Sequence, residues 1–384
     1  MRPLIWGGGG TSAAAVDSLY DLLRAEPPSE PVIVMAGSKE AFASVVERIA
    51  QPLDGVDVVI RTSGSTDGRG RLVGLSRRAL EASARATHDR LAGPGQWLTS
   101  LPVDAVAGFQ VINRSALAGH RPVVYAPRRG FDPLLFEEAL SRLVPGVPHY
   151  LSLVPTQLHG IVGTAPQLLG GFEAILVGGA ALAPDLAARA ADAGARIVRT
   201  YGSTETSGGC VYDGVPLDGV AVRVVDGRIQ LGGATLLTRY LDTADQPFSD
   251  DRWFVTNDLG SMDDGRLSVL GRADDVVISG GVNVHPARVE AALAPLGGQW
   301  VVVGVPDSHW GQRVVAVTTA DPTPSADAVA AATAHLAPAE RPKDVLGLAT
   351  LPLRPTGKVD RRAVAEYAAQ SFRRDIAHDE GRPT

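Results

Sequence analysis

Cysteine is almost absent from this sequence, and lysine is nearly as scarce. A single cysteine, Cys210, in 384 residues cannot form an intramolecular disulfide or a cysteine-rich metal site, so nothing here calls for an oxidising compartment. Excess positive charge is missing too. The chain sets 36 basic against 42 acidic side chains, a net charge of −6, which leaves no general basic field for nucleic acid or anionic lipid. No apolar run reaches the 18 residues of a membrane span, and the apolar stretch in MRPLIWGGGG is too short for a signal segment. These absences predict a cytoplasmic protein with neither a nucleic-acid nor a membrane partner. Only Lys39, Lys343 and Lys358 are lysines among the 36 basic residues. In so arginine-biased a chain, a retained lysine marks a place that needs a compact, mobile ammonium rather than a planar fork.

What is present is ordinary globular composition, 45% hydrophobic and 20% charged, over a length that predicts two or three domains. Between residues 30 and 270, short apolar runs alternate with helical stretches. Candidate strands are 32–35, 58–60, 123–125, 151–154, 175–177 and 197–198. Candidate helices run from Arg77 to Leu91 behind the cap Ser76, from Pro133 to Leu143, and from Pro184 to Ala193 with Gly194 as a stop. That alternation predicts a parallel, helix-covered sheet. After Val211 the texture becomes β-rich, with runs at 220–225, 228–231, 253–256 and 267–270. From Gly271 onward a hairpin around 276–284, a helix at Pro286, strands 300–305 and 314–319, a helix 326–336 and a last helix from Arg361 predict a separate α+β domain. Residues 371–384 read as a frayed polar tail.

Four segments carry chemistry. Ile60 to Arg71 (IRTSGSTDGRGR) crowds hydroxyls and glycines behind a strand, a composition that can cradle phosphate, although no Gly-Lys-Ser/Thr ends it. A plain Ser/Gly turn is the alternative. Trp6 to Ser12 (WGGGGTS) is a weaker lookalike with no strand before it, and reads as a flexible turn. Tyr201-Gly202-Ser203-Thr204-Glu205 follows a strand, where open α/β sheets bind ligands. There Thr204 can donate to a phosphate and Glu205 can hold Mg²⁺. Gly178-Gly179-Ala180 ends another strand and leaves a bare surface for an adenine ring. Asp258 suits ribose hydroxyls, and Arg272 a phosphate or ribose oxygen. Finally, Pro355 to Arg361 (PTGKVDR) sets Lys358 on a turn that opens a helix. Taken singly, each segment has a structural explanation as a turn, a cap or a salt bridge.

In order and spacing, these segments resemble the ANL superfamily of adenylate-forming enzymes, whose motifs are similar to TSGTTG, YGxTE, TGD, GRxDDxIxxxGxNVxP and PxxxxGK. The runs at 152–158, 176–180 and especially 205–214 (ETSGGCVYDG) look like the short actinobacterial o-succinylbenzoate-CoA ligases of menaquinone biosynthesis. The resemblance implies an α/β fold. A large N-terminal domain, 1–270, with a β-rich subdomain would bind ATP and the acid, and a small mobile C-terminal α+β domain, 271–384, would carry the catalytic lysine. It implies a two-step ligase using ATP, Mg²⁺ and CoA, with a homodimer left open. Thr62, Ser63, Gly64, Ser65 and Thr66 would cradle the ATP phosphates. Gly178, Gly179, Ala180, Tyr201 and Gly202 would line the nucleotide site, Thr204 would bind the α-phosphate and Glu205 the metal. Asp258 would take the ribose, Arg272 would fix the nucleotide and Asp274 would be the hinge. Lys358 would bridge the attacking carboxylate and the α-phosphate, and Gly280 and Gly281, beside Trp310, would open a path for the pantetheine arm.

Two departures from the pattern stand out. The loop has Gly70 where relatives carry a lysine, with Arg69 or Arg71 as substitutes, and Ala105 stands where relatives carry His or an aromatic residue. The second carboxylate of o-succinylbenzoate demands a cation, for which Arg114 is the candidate. Adenylation of another aryl acid for CoA or a carrier protein, and a non-catalytic nucleotide-binding protein, remain the alternatives.

Overall fold

A computed structural model describes residues 4–25, 29–62, 70–128, 130–354 and 358–379. The expected phosphate-loop residues Ser63, Gly64, Ser65 and Thr66 lie outside the described residues, as does Arg69. The chain divides into two compact units. One takes residues up to Leu182 with Leu186–Thr256 and Met262–Ser268; the other takes Ala183–Asp185, Asn257–Ser261 and the residues from Val269 on.

The larger unit holds two sheets with parallel strands and, as the β-rich stretch after Val211 predicts, a further antiparallel pairing of Val220–Val225 with Arg228–Gly233. In the first, Ile5–Trp6, Val32–Val34 and Val58–Arg61 run parallel, and Leu72–Leu75 and Arg239–Tyr240 close the order antiparallel. The second is seven-stranded, in the order Val215–Pro216, Gly208–Tyr212, Ile197–Ser203, Ala174–Gly178, His149–Leu153, Gln96–Thr99, Val123–Val124. Its last five strands are mutually parallel. Helices supply the cover that a parallel sheet needs. Arg77–Arg90 is capped by the Ser76 hydroxyl, which accepts from the Ala79 N–H at 3.1 Å. Val106–Ala118 stops at Gly119, whose φ of 77° is left-handed.

The Val106–Ala118 helix is buried from Gly108 through Ala116. A helix that is buried all round loses the one-sided apolar stripe that makes helices legible in a sequence. Gly108 is required where it stands, because a Cβ there would lie 2.1 Å from the Pro102 carbonyl oxygen.

The smaller unit holds a sheet of Val282–Val284, Val277–Ser279, Gly311–Thr318 and Trp300–Asp307, with Asp344–Gly347 pairing parallel to Gly311–Thr318. Its two longest strands, Trp300–Asp307 and Gly311–Thr318, are apolar over most of their length because both faces are covered. Trp300, Val302, Val314 and Ala316 pack with Val289 and Leu293 of the helix Pro286–Leu293. Val301, Val303, Val315 and Val317 pack with Val364 and Ala368 of the helix Arg361–Asp379.

Two expectations are corrected. The segment after Trp6 is preceded by a strand, Ile5–Trp6, paired with Val32–Val34. It is a built turn rather than a loose one: the Gly10 N–H donates to Asp104 Oδ1 at 2.8 Å, and a Cβ on Gly9 would lie 2.1 Å from the Ala36 nitrogen. Nor does the chain fray at 371, since the last helix runs to Asp379. Elements also differ in length. The strand from Ile197 runs on through Ser203, and the helix from Ala326 ends at Ala332.

Candidate active site

In the larger unit, the parallel strands end at Thr99, Val124, Leu153, Gly178 and Ser203, and the ligand-bearing crevice of an open α/β sheet lies at such ends. Tyr201, Gly202 and Ser203 finish one strand, and Thr204–Thr206 form a short helical turn beyond it. Gly202 permits close strand approach, since a Cβ there would lie 2.2 Å from the Gly208 carbonyl oxygen. Thr206 ties the turn at both ends: its hydroxyl accepts from the Ser203 N–H at 2.9 Å and lies 2.8 Å from the Gly208 carbonyl. Ser207 then takes a left-handed φ of 54°. That strain is held by neighbours, because the Ser207 carbonyl accepts from Gln110 Nε2 at 2.7 Å and Ser83 Oγ at 3.0 Å, while its own hydroxyl donates to the Thr235 carbonyl at 2.8 Å.

Glu205 is buried, and its Oε1 accepts from the Tyr240 hydroxyl at 2.9 Å. Burial, then the Glu205 carboxylate, push the Tyr240 phenol well above its ordinary range, so it stays a donor. Glu205 Oε2 has no partner among the described residues. Among those residues no three His, Cys, Asp or Glu side chains gather into a metal cluster. One oriented carboxylate with a spare oxygen suits Mg²⁺, which prefers to share its shell with water and substrate phosphates.

The stem of the expected phosphate loop reaches the same place. Thr62 and Arg71 close it, the Thr62 N–H donating to the Arg71 carbonyl and the Arg71 N–H to Thr62 Oγ1, each at 2.9 Å. The Arg71 guanidinium lies 5.9 Å from the Tyr240 ring centre. Gly178 backs onto Thr200, where a Cβ would meet Oγ1 at 2.3 Å; Gly179 follows with φ of 82°, and Ala180 is exposed.

A second feature of this unit sits on the buried helix Val106–Ala118. Three of its polar side chains offer a direct contrast. Asn113 Nδ2 donates to the Leu80 carbonyl at 3.0 Å and to Gln110 Oε1 at 3.1 Å, and Gln110 in turn reaches Ser207. Arg114, 3% exposed, has no carboxylate partner among the described residues. Its guanidinium stacks 5.1 Å from the Trp97 ring centre and donates through Nη2 to the Tyr212 hydroxyl at 3.4 Å, while Nε is buried without a partner. Tyr212 Oη lies 3.0 Å from Thr87 Oγ1, and Thr87 donates to the Ser83 carbonyl at 2.9 Å. Nearby His88 is also buried with Nε2 unpartnered; burial, then the Arg114 charge, lower its pKa to about 4. Arg114 is thus a buried residue and not a surface arginine.

In the smaller unit, Asp258, Arg272 and Asp274 come together. Arg272 forms a two-pronged pair with Asp274, at 2.8 and 2.9 Å, and lies 3.6 Å from Asp258. Burial opposes ionisation of Asp274, but the Arg272 guanidinium outweighs it and holds the carboxyl below its usual range. Gly280 and Gly281 are the two turn residues of the hairpin 277–284, with φ of 58° and 79°, which only glycine adopts without strain. A Cβ on Gly280 would also press to 3.0 Å from the Trp310 ring. Lys358 precedes the helix Arg361–Asp379, and its carbonyl accepts from the Arg354 N–H at 2.7 Å. Arg361 lies between acids: it meets both oxygens of Glu290 at 2.7 and 2.9 Å and Asp275 at 3.6 Å.

Sequence reasoning missed Tyr240, Tyr212 and Thr87. Tyr240 is 35 residues from Glu205 and Thr87 is 125 from Tyr212, so no local spacing reports either contact. The lone carboxylate of Glu205 was the only available pointer to a needed donor.

A family described as AMP-binding enzyme matches residues 14–232, and the AMP-binding enzyme C-terminal domain matches 284–358. A probable 2-succinylbenzoate--CoA ligase of Mycobacterium tuberculosis strain H37Rv is 40% identical over 383 residues, which span 96% of this chain and 99% of that protein. The 2-succinylbenzoate--CoA ligase of Enterococcus faecalis is 27% identical over 83% of this chain and 71% of its own. Among solved structures, wild-type Escherichia coli MenE with a bound phenylether-linked analogue of OSB-AMS superposes with a TM-score of 0.72 at 25% identity, covering 96% of this chain and 88% of the other. Bacillus subtilis MenE in complex with ATP and magnesium ion superposes with a TM-score of 0.76 at 20% identity, covering 94% and 88%, a likeness of fold.

Proposed function

The chain belongs to the AMP-binding enzyme family, and on that premise we propose that it is an ATP-dependent acid–thiol ligase that forms the CoA thioester of o-succinylbenzoate. A carboxylate oxygen of the acid attacks the α-phosphorus of ATP, the bond to the bridging oxygen breaks and pyrophosphate leaves. The CoA thiol then attacks the acyl carbon, losing its proton to solvent, and AMP departs with the cleaved C–O bond. Bringing a carboxylate to a triphosphate places anions together, so preorganised positive charge and hydrogen-bond donors must offset the repulsion.

Within that reading, Thr204 donates to the α-phosphate, Glu205 holds Mg²⁺ oriented by Tyr240, Asp258 takes the ribose hydroxyls, and Lys358 supplies the ammonium between acyl carboxylate and α-phosphate. Bound Mg²⁺ neutralises phosphate charge. The segment 1–270 binds nucleotide and acid, and 271–384 moves between the two half-reactions. Arg71 replaces the loop lysine. The enzyme works in the cytoplasm, and no described helix is long and apolar enough to cross a membrane.

The observation that carries the choice of acid is Arg114, a buried cation with no acid opposite it among the described residues. Such a charge is costly unless an anion arrives to pair with it, and a diacid brings one carboxylate to be activated and a second to be held. The test is pyrophosphate release with ATP, Mg²⁺, CoA and a panel of aryl acids. The diacid should be preferred, and Lys358→Ala should slow adenylation by about 10²-fold or more. No release with any acid, or an unchanged Lys358→Ala variant, overturns the reading; ATP binding without release would favour a non-catalytic nucleotide-binding protein.

A further inference from the structure

We infer that Tyr212 and Thr87 are positioning residues that hold the Arg114 guanidinium for the non-reacting carboxylate of the substrate without neutralising it. The inference rests on the reading of Arg114 just given and extends it to residues outside the nucleotide motifs.

Proton directions in the chain are fixed by chemistry. The Ser83 carbonyl can only accept, so the Thr87 hydroxyl, 2.9 Å away, spends its proton there. Thr87 Oγ1 is then left as the acceptor for the Tyr212 hydroxyl at 3.0 Å. With its proton committed to Thr87, the Tyr212 oxygen can face Arg114 Nη2 only as an acceptor, at 3.4 Å. A guanidinium has donors alone, so an acceptor is what it requires.

The acceptor is neutral. An Asp or Glu at position 212 would hold the guanidinium harder but would cancel its charge, and an incoming carboxylate would then have to displace it. The other support is neutral as well, the face of Trp97 at 5.1 Å. Fixed by a phenol oxygen and an indole face, Arg114 keeps its full charge and a buried, unpartnered Nε. Gly209 leaves room for the Tyr212 ring, since a Cβ there would stand 3.2 Å from both Tyr212 Cε1 and Thr200 Cβ, and Tyr212 pairs across the sheet with Thr200. Thr200 in turn pairs with Gly178 at the end of its strand. One line of contacts thus joins the mouth of the parallel sheet to the buried cation.

The experiment compares the diacid with the mono-amide that retains the carboxylate to be activated, in a pyrophosphate-release assay with wild type, Tyr212→Phe, Thr87→Val and Arg114→Gln. Tyr212→Phe removes one oxygen and keeps the ring. Its KM for the diacid should rise about tenfold, the scale of a hydrogen bond to a charged group, with kcat, the KM for ATP and the mono-amide kinetics within twofold of wild type. Thr87→Val should act in the same direction by about threefold, so a folding defect in one variant leaves the other decisive. Equal losses on diacid and mono-amide, or no loss on either, overturn the inference. If wild type and Arg114→Gln treat diacid and mono-amide alike, the reading of Arg114 falls and takes the inference with it. If Arg114→Gln abolishes the preference while Tyr212→Phe and Thr87→Val match wild type, the inference alone falls.

Discussion

Two charges in each unit are kept in opposite ways. In the smaller unit, Arg361 lies between Glu290 and Asp275, and Arg272 is forked onto Asp274; these charges are consumed inside the fold. In the larger unit, Arg114 leans on a phenol and an indole, and Glu205 takes its hydrogen bond from the Tyr240 hydroxyl. Among the described residues those two charges are oriented but not cancelled. An ion pair completed by the fold restrains structure, whereas a buried charge held by neutral partners is available to a ligand of opposite sign. On this view Arg272 must yield Asp274 before it can serve a nucleotide.

The sharpest way to break the contrast is to remove one cation from each unit. Arg114→Met should cost about 10²–10³-fold in kcat/KM for the diacid, the scale of truncating one partner of a buried charge pair. Its resistance to urea should be equal to wild type or better, since an unpaired buried charge is gone. Arg361→Met should do the reverse and lower the unfolding free energy by about 2 kcal/mol by stranding Glu290. That figure lies below the cost of breaking a fully buried pair because the Arg361 side chain is 31% exposed. If urea denaturation of the two variants moves in the same direction by the same amount, the distinction between the two kinds of charge is lost.

A smaller effect tests the anionic counterpart. Tyr240→Phe removes the donor that orients Glu205 and leaves the ring under Arg71. The Mg²⁺ concentration for half-maximal adenylation should rise about fivefold, within the range of one hydrogen bond to a charged group, with the KM for the acid unchanged. A shifted acid KM with unchanged Mg²⁺ dependence would remove Glu205 from the metal's neighbourhood.

How much of this was legible in the sequence follows from what each residue's neighbours are. Strands such as Ala174–Gly178 and Val32–Val34 were readable because they are buried on both faces and spell apolar runs. The Ile197–Ser203 strand looked two residues long, because Arg199 to Ser203 are polar or glycine and reveal nothing of the pairing with Gly208–Tyr212. Val106–Ala118 left no helical signature, since burial on every side erases the 3.6-residue period. The motif segments stood out by their order along the chain, and Arg114 only through the diacid that the resemblance implies. Tyr240, Tyr212 and Thr87 did not, because their partners arrive through sheet pairing across long stretches of chain.

The smallest effect concerns pH and reads the Arg114 charge through a neighbour. His88 is buried, and burial followed by the Arg114 charge lowers its pKa to about 4, with Asp89 pulling the other way and Arg85 adding to the depression. In the unfolded chain it titrates at about 6.5. Above that pH it is neutral in both states and its contribution to stability is complete. As pH falls from about 6.5 toward 4, the unfolded chain takes up a proton that the folded chain refuses, so stability is lost over that window. His88→Gln should therefore flatten the decline in urea midpoint between pH 6.5 and 4 relative to wild type. Saturating diacid should flatten it in wild type as well, because a carboxylate set against Arg114 removes part of the positive field that depresses His88. Identical slopes with and without diacid would mean that the second carboxylate binds elsewhere, and Arg114 would then join Arg361 among the charges that serve only the fold.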